Sequence, residues 1–124
     1  MIDFAGKVAL VTGASSGMGA ATAKMLADGR ARVFAAQRGA SEHEDIAADF
    51  ADPNAPEAVI REVSERAGQL DILVNNAGVM REGTVEESSI EDWHFQIQVN
   101  LTAPFLLMRH AMPLLRDGGG SIVN

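Results

Sequence analysis

The residues with the clearest chemical potential form a glycine-rich stretch near the start of the chain. The sequence TGASSGMG occupies residues 12–19, with glycines at positions 13, 17 and 19. It lies between the apolar run VALVT, typical of a buried strand, and a segment with helical spacing of apolar residues. Such glycines allow a tight turn at Gly13, a close approach of a pyrophosphate at Gly17, and close helix-to-strand packing at Gly19. The helix N-terminus adds free N–H groups and partial positive charge, which favours a phosphate ligand over a glycine turn without one.

A second pair of candidate residues, Gln37 and Arg38, follows a predicted strand at 32–36. An acid in this place, about 20 residues after the glycines, hydrogen-bonds a ribose 2′-hydroxyl and repels a 2′-phosphate. Gln37 carries no such repulsion, and the guanidinium of Arg38 suits a phosphate in charge and geometry. These residues favour NADP(H) as the cofactor over NAD(H). The alternative is that Arg38 is an exposed arginine without a specific partner.

A third candidate is Asn100, which lies in a long predicted helix with Pro104 four residues later. In an α-helix the N–H of residue 104 would bond the carbonyl of Asn100, and proline has no N–H. The spacing therefore predicts a free Asn100 carbonyl and a kink in the helix. The alternative is a surface asparagine in a helix that bends for packing.

Alternating strands and helices position these candidates. Strands are predicted at residues 7–12, 32–36, 46–48 and 70–74, with a fifth beginning at 121. Helices are predicted at 17–28, 54–67 and 89–116, and the apolar residues of the first recur at helical spacing at Met18, Ala21, Met25 and Leu26. Such alternation indicates an α/β protein with a parallel sheet and right-handed crossovers. The segment RGASEHE (38–44) is too short for a crossover helix, so we expect a loop or a single turn there.

Local signals mark the ends of these helices. Asn54 with Glu57, and Ser88 with Glu91, have the spacing of capping boxes. Pro113 is expected to kink the last turns of the long helix. Glycines expected as helix ends stand at positions 68 and 118.

Composition limits the classes of protein that fit. The 124 residues suit one domain (1–124), with 47% apolar and 22% charged residues. A net charge of −7 argues against nucleic acid or an anionic membrane as a partner. Absence of cysteine suits a cytoplasmic protein, and no run approaches the roughly 20 apolar residues of a membrane span. The three histidines have no spacing that would build a metal site, so we expect none.

Four stretches together resemble the short-chain dehydrogenase/reductase family in order and spacing. They are FAGKVALVTGASSGMG (4–19), LDILVNNAG (70–78), QVNLTAPF (98–105) and GGGSIVN (118–124). The resemblance implies a Rossmann-type doubly wound parallel sheet with strand order 3-2-1-4-5, truncated within strand 5. It also implies an oxidoreductase that transfers hydride between a nicotinamide dinucleotide and a small carbonyl or alcohol substrate.

By this resemblance, several residues surround the cofactor. Those expected at the pyrophosphate and nicotinamide ribose are Gly13, Ser15, Ser16, Gly17, Met18 and Gly19. Those expected beside the adenosine ribose are Asn76, Ala77 and Gly78, with Asn75 bracing the central strands. Asp49 and the backbone of Phe50 are expected at the adenine ring, where a solvated loop carboxylate is the alternative for Asp49. The short 38–44 segment departs from the family pattern on this side.

The family's catalytic set of Asn, Ser, Tyr and Lys is represented here by Asn100 alone. Its carbonyl would hold a water beside the lysine, and the chain contains no tyrosine. The serine would follow about three residues after Asn124. We therefore expect an enzyme in the complete protein and no activity from these 124 residues. The alternatives are a non-catalytic dinucleotide-binding module and one subunit of a split enzyme. Apolar residues on more than one face of the 89–116 helix suit either a second subunit or a helix covered by the rest of its own chain. The resemblance favours a homo-oligomer through this helix, since dimers and tetramers are frequent in the family.

Overall fold

A five-stranded parallel sheet runs through the protein, as the computed structural model of residues 2–124 shows. The strands are β1 (Val8–Thr12), β2 (Arg32–Gln37), β3 (Glu44–Ala47), β4 (Ile72–Val74) and β5 (Ser121–Val123). Their spatial order is β3-β2-β1-β4-β5, and every neighbouring pair is parallel. The predicted order 3-2-1-4-5 is thereby confirmed, and the chain ends one residue after β5.

Helices cover both faces of the sheet. They are α1 (Gly17–Asp28), α2 (Ala55–Ala67), α3 (Ile90–Ile97), a π-helical turn (Gln98–Thr102) and α4 (Ala103–Arg116). On one face α2 and α4 pack against Leu10, Phe34 and Leu73, and on the other α1 packs against strand residues such as Val11 and Ala35. All five residues of β1 are buried, as expected for a strand with helices on both sides. No helix within residues 2–124 is both long and apolar enough to cross a bilayer.

The inner face of α1 differs from the predicted one. Leu26 is buried as expected, but Met18 is 81% exposed and Met25 is 57% exposed. The buried residues beside Leu26 are Gly19 and Ala23. α1 approaches the loop after β1 too closely for a side chain at Gly19, so the inner face near the start of the helix has no room for a residue as large as methionine. The helix was predicted correctly and its apolar face was not.

Helix caps also differ in part from the predicted ones. The Asn54 side chain makes no capping hydrogen bond, so the capping box predicted there is wrong. Instead the Asp52 carboxylate accepts the Asn54 N–H (2.8 Å), because Asn54 already has helical backbone angles. The cap of α3 is Ser89, whose hydroxyl accepts the Asp92 N–H (3.0 Å). Ser88 instead donates to the Thr84 carbonyl (2.8 Å), so the predicted box lies one residue too early.

The predicted helix over 89–116 is interrupted just before Pro104. The π-helical turn Gln98–Thr102 separates α3 from α4, and the Ala103 N–H bonds the Gln98 carbonyl five residues earlier. A wide turn of this kind tolerates the missing N–H of Pro104. The irregularity expected in the helix near Pro104 is therefore present as a π-turn. α4 then continues through Pro113 to Arg116. Gly68 and Gly118 have φ of +69° and +95°, as expected at helix ends.

Candidate functional site

A cleft of about 730 Å³ opens at the carboxyl ends of the central strands. In doubly wound α/β proteins this edge of the sheet is where ligands bind. The lining residues come from the segments that follow β1, β2, β3 and β4, together with α3 and the π-turn. They are Gly13, Ser15, Ser16, Ala36, Gln37, Arg38, Gly39, Ala48, Asp49, Phe50, Asn76, Ala77, Gly78, Val79, Met80, Arg81, Phe95 and Val99.

Most residues expected around a cofactor therefore lie together on this cleft. The expected residues outside its lining are Gly17, Met18, Gly19 and Asn100. Gly17 and Met18 are exposed in the first turn of α1, directly after the lining residue Ser16. The Ser16 side chain does not cap α1, so the first-turn N–H groups stay free to meet an anion.

Each of the three positions in the loop requires glycine for a different structural reason. Gly13 turns the chain at φ +67°, and a Cβ there would lie 3.0 Å from the Ala77 Cα. Gly17 has φ +58° and open space where a Cβ would stand, which leaves its backbone accessible. A methyl group on Gly19 would collide with the Gly13 carbonyl. The turn, the open backbone and the close packing all agree with what the spacing predicts.

Thr12 and Asn76 bind the glycine loop to the segment after β4. The Thr12 hydroxyl accepts the N–H groups of Asn76 (3.1 Å) and Ala77 (2.9 Å). The Asn76 amide nitrogen donates to the carbonyls of Thr12 (3.1 Å) and Gly13 (3.0 Å). Both hydrogens of the Asn76 amide are thus used within the protein, and only its side-chain oxygen is free for a ligand. Sequence reasoning missed the bridging role of Thr12, since one hydroxyl in a buried strand gives no signal.

Gln37 is buried, whereas Arg38 is exposed. Gln37 is 7% exposed, and its side-chain oxygen accepts the Ala14 N–H (3.3 Å). Its amide nitrogen donates to the Gly39 carbonyl (3.0 Å) and to Asp45 Oδ1 (2.9 Å). Arg38 makes no ion pair with any residue of the described chain. The charge available to a ligand at the end of β2 is therefore that of Arg38.

The far side of the cleft contains Asp49 and Phe50. The Asp49 carboxylate is exposed and accepts the Ala51 N–H (3.0 Å), which closes a local turn. Phe50 is buried, and its carbonyl accepts a hydrogen bond from the Gln98 side chain (3.3 Å). The apolar lining nearby includes Ala48 and Val99. A planar ring would find apolar contacts here, with one carboxylate at the rim.

Asn100 braces the loop after β4. Its amide nitrogen donates to the Val79 carbonyl (2.7 Å), and its side-chain oxygen accepts the Val79 N–H (2.8 Å). A Cβ at Gly78 would stand 3.4 Å from that oxygen, so the two segments lie close together. The side chain is thus engaged in holding the cleft wall. Any chemical role for Asn100 belongs to its backbone carbonyl, which Pro104 cannot bond.

Arg81 is a cleft residue that the sequence did not reveal. Its guanidinium lies 3.8 Å from the centre of the Phe95 ring and pairs with the Asp92 carboxylate (2.6 Å). The Arg81 N–H donates to the Gln96 side chain (3.0 Å). These contacts fasten the loop to α3. They depend on how the loop folds back onto the helix that follows it, so no short sequence pattern signals them. Within residues 2–124, no group of three or more His, Cys, Asp or Glu side chains is placed to hold a metal ion.

The sheet order, the glycine turn before α1 and the cleft at the strand ends define a Rossmann-type α/β protein. The sequence profile described as short chain dehydrogenase matches residues 7–124. The chain is 41% identical to D-threitol dehydrogenase of Mycolicibacterium smegmatis, over 96% of this chain and 52% of that protein. This chain belongs to the short-chain dehydrogenase/reductase family of oxidoreductases. It spans about half the length of the curated relatives it matches.

Solved structures of the family superpose closely on this fold. Ligand-free aldohexose dehydrogenase of Thermoplasma acidophilum has a TM-score of 0.90 at 33% identity, with 98% of this chain and 49% of that one covered. A metagenomic short-chain oxidoreductase in complex with NADP has a TM-score of 0.89 at 36% identity, over 96% of this chain and 60% of that one. The arrangement of strands and helices is therefore that of the first half of the family fold.

Proposed function

We propose that this chain is the cofactor-binding part of an NADP(H)-preferring oxidoreductase. In the complete protein, hydride would pass between the nicotinamide and a small carbonyl or alcohol substrate. The observation that carries the proposal is the convergence of the glycine loop, the uncapped start of α1 and the unpaired Arg38 on one cleft. NADP in a solved relative supports the cofactor class.

The residues present fit such a dinucleotide. The accessible backbone at Gly17 and the free first-turn N–H groups of α1 would hold the pyrophosphate. Arg38 would pair with the 2′-phosphate, because its guanidinium forms no ion pair within residues 2–124 and matches phosphate geometry. The wall around Phe50 would receive the adenine, with Asp49 at its rim. When bound, the nicotinamide supplies the hydride chemistry.

The chain by itself is proposed to bind the dinucleotide without turning it over. The Asn100 carbonyl would hold a water in the complete site, and a phenol to transfer the proton is absent from these 124 residues. We also place the protein in the cytoplasm, because it has no cysteine, and its recovery from a secreted fraction would contradict this.

We further propose that α3 and α4 contact a second copy of the chain. Trp93, Leu101, Phe105 and Met112 are 60%, 63%, 55% and 40% exposed, although all are large and apolar. Exposed apolar surface of this kind marks interaction sites. Sedimentation velocity that found only monomer at micromolar concentration would remove this proposal.

Titration of the chain with NADPH and NADH tests the cofactor assignment. NADPH should bind more tightly than NADH. Arg38→Ala should weaken the affinity for NADPH by about tenfold or more and change the affinity for NADH little. Arg116→Ala is the matched control, because Arg116 ends α4 at the opposite edge of the sheet. An unchanged NADPH-to-NADH affinity ratio in Arg38→Ala would reject the assignment of Arg38, and failure of both dinucleotides to bind would reject the function.

A further inference from the structure

The connection between β2 and β3 is unusually short for two parallel strands. Parallel neighbours normally need a crossover of about a dozen residues or more, usually with a helix. Here residues 38–43 make the connection without a helix. The register pairs Phe34 with Glu44, so the chain returns by only roughly 10 Å along the sheet before β3 starts. This loop has no helix of its own to hold it in place.

Asp45 holds the loop instead. Its Oδ1 accepts hydrogen bonds from the Ser41 hydroxyl (2.6 Å), the Ser41 N–H (3.1 Å) and the Gln37 amide nitrogen (2.9 Å). Its Oδ2 lies 3.0 Å from the Ser41 nitrogen. The hydrogen bonds from Ser41 hold the pKa of the Asp45 carboxyl below its usual range, so it is a charged acceptor at neutral pH.

Asp45 is also one of the groups that orient the buried Gln37 amide. A carboxylate only accepts, so the Gln37 nitrogen must point toward Asp45. The Gln37 oxygen is then left to accept the Ala14 N–H in the glycine loop. The same Gln37 nitrogen donates to the Gly39 carbonyl. The Gln37 amide, whose nitrogen faces the Asp45 carboxylate and the Gly39 carbonyl, therefore connects the glycine loop to the loop that contains Arg38.

The two loops lie against each other at the rim of the cleft. A Cβ at Gly39 would stand 4.0 Å from the Ser15 Cβ. Arg38 is exposed and makes no ion pair within residues 2–124. Its placement is therefore set by its two chain neighbours, Gln37 and Gly39. Both are fastened by the network that Asp45 anchors.

We propose that Asp45 is a positioning residue that orients the Gln37 amide, orders the loop at 38–43, and so determines how strongly the cleft prefers NADPH over NADH. The selectivity part rests on the proposed function, whereas the ordering of the loop does not. Asp45 itself acts through Gln37 and Ser41 and is not assigned a contact with the cofactor.

Three variants separate positioning from charge. Asp45→Ala removes both acceptor oxygens. Asp45→Asn removes the charge and replaces Oδ2 by an amide nitrogen, but it retains Oδ1, the oxygen that accepts from the Ser41 hydroxyl and from Gln37. Glu42→Ala is the matched control, because Glu42 is an exposed acid of the same loop without a hydrogen bond in the described chain. Far-UV circular dichroism and the melting temperature establish that each variant is folded.

The readouts are the ratio of NADPH to NADH affinity and amide exchange over residues 39–43 without cofactor. Asp45→Ala should lower the ratio by about tenfold, the order expected when a charged contact is misplaced, and should speed exchange in the loop. The affinity ratios of Asp45→Asn and Glu42→Ala should stay within about twofold of the ratio of the parent chain. A folded Asp45→Ala variant with parental ratio and exchange would overturn the proposal. Equally lowered affinity ratios in Asp45→Asn and Asp45→Ala would also overturn it, because retention of the Oδ1 acceptor would then make no difference.

If the parent chain binds neither dinucleotide, the proposed function and the selectivity claim both fail. The exchange measurement still decides the structural part in that case. Faster exchange over residues 39–43 in Asp45→Ala, restored in Asp45→Asn, would support the positioning role of Asp45. Unchanged exchange would reject it.

Discussion

Glu44 shows how single charges act on the edge of this sheet. Its carboxylate accepts hydrogen bonds from Arg32 (2.7 and 2.9 Å) and from Arg66 (3.3 Å). Both guanidinium groups also lie 4.9 Å from the centre of the buried Phe34 ring. The hydrogen bond from Arg32 is the main reason why the pKa of Glu44 lies below its ordinary value. This cluster joins β2, β3 and α2.

A lowered pKa makes the contribution of Glu44 to stability depend on pH. The contribution is complete above the pKa of Glu44 in the unfolded chain and is lost as pH falls through the lower folded value. The side chain is 37% exposed, so Glu44→Gln should lower the free energy of unfolding at pH 7 by only about 0.5–1 kcal/mol. Urea unfolding at neutral and acid pH measures this difference.

Glu57→Gln is the control for that measurement, because Glu57 has one exposed i,i+4 partner, Arg61. Its effect should be smaller, at a few tenths of a kcal/mol. A Glu44→Gln effect that persisted unchanged at a pH where free glutamate is protonated would contradict the ion-pair explanation.

Residue identities predicted some site features well and others poorly. The roles of Gly13 and Gly19 follow from glycine's lack of a side chain, so the loop geometry was readable from spacing alone. Gln37 was expected at the cofactor and it lines the cleft, but its side chain is 7% exposed and hydrogen-bonded within the protein. Its partner Asp45 comes from the next strand, and a pairing of that kind depends on register, which single residues do not reveal.

Among the elements, the π-helical turn has the clearest link between sequence and site. Pro104 removes the donor for the Asn100 carbonyl, and the turn lies directly before it. The Asn100 side chain then reaches Val79 with two hydrogen bonds, which hold the segment after β4. A proline on one helix therefore contributes to the shape of a cleft wall formed by another segment.

Replacing Pro104 by alanine supplies the missing N–H. The Asn100 carbonyl can then accept an ordinary helical bond, and the π-turn should shorten to α-helix, moving the Asn100 side chain relative to Val79. Amide exchange measured by NMR should be faster at Val79 by about tenfold, the order expected for loss of a hydrogen bond. Pro113→Ala, inside α4 and away from the turn, should leave Val79 unchanged. Slow exchange at Val79 in both variants would show that Pro104 has no such role.

Element types were easier to predict than element ends. Short apolar runs located the strands, because burial on both faces leaves a strong signal in such runs, whereas their spatial order was implied by the family resemblance. β3 begins at Glu44, two residues before its predicted start at Ile46, since an edge strand exposed on one face carries no continuous apolar run. The caps near Asn54 and Ser88 failed for a different reason. Asp52 accepts the Asn54 N–H, and Ser89 accepts the Asp92 N–H. Adjacent polar residues all have the composition of a cap, and propensity does not decide between them.

At the scale of the whole molecule, α4 presents apolar residues on two opposite sides. Ala103, Leu107 and Ala111 are buried against the rest of the chain, whereas Phe105 and Met112 are exposed. The two faces are offset by about half a helical turn, so one helix contacts its own core and also offers a second surface. In the proposed assembly a second copy covers that surface. The cleft lies at the carboxyl edge of the sheet and is formed by this chain's own residues.

Binding of a nicotinamide dinucleotide in this cleft is tested most directly by mapping amide chemical shifts with NMR. Addition of NADPH to the chain should move the amide signals of residues 13–19, 37–39, 48–50 and 76–79. Signals at the opposite edge of the sheet, such as Lys7 and Gly120, should stay in place. Shifts confined to that opposite edge, or no shifts at millimolar NADPH, would contradict binding of the dinucleotide in the cleft.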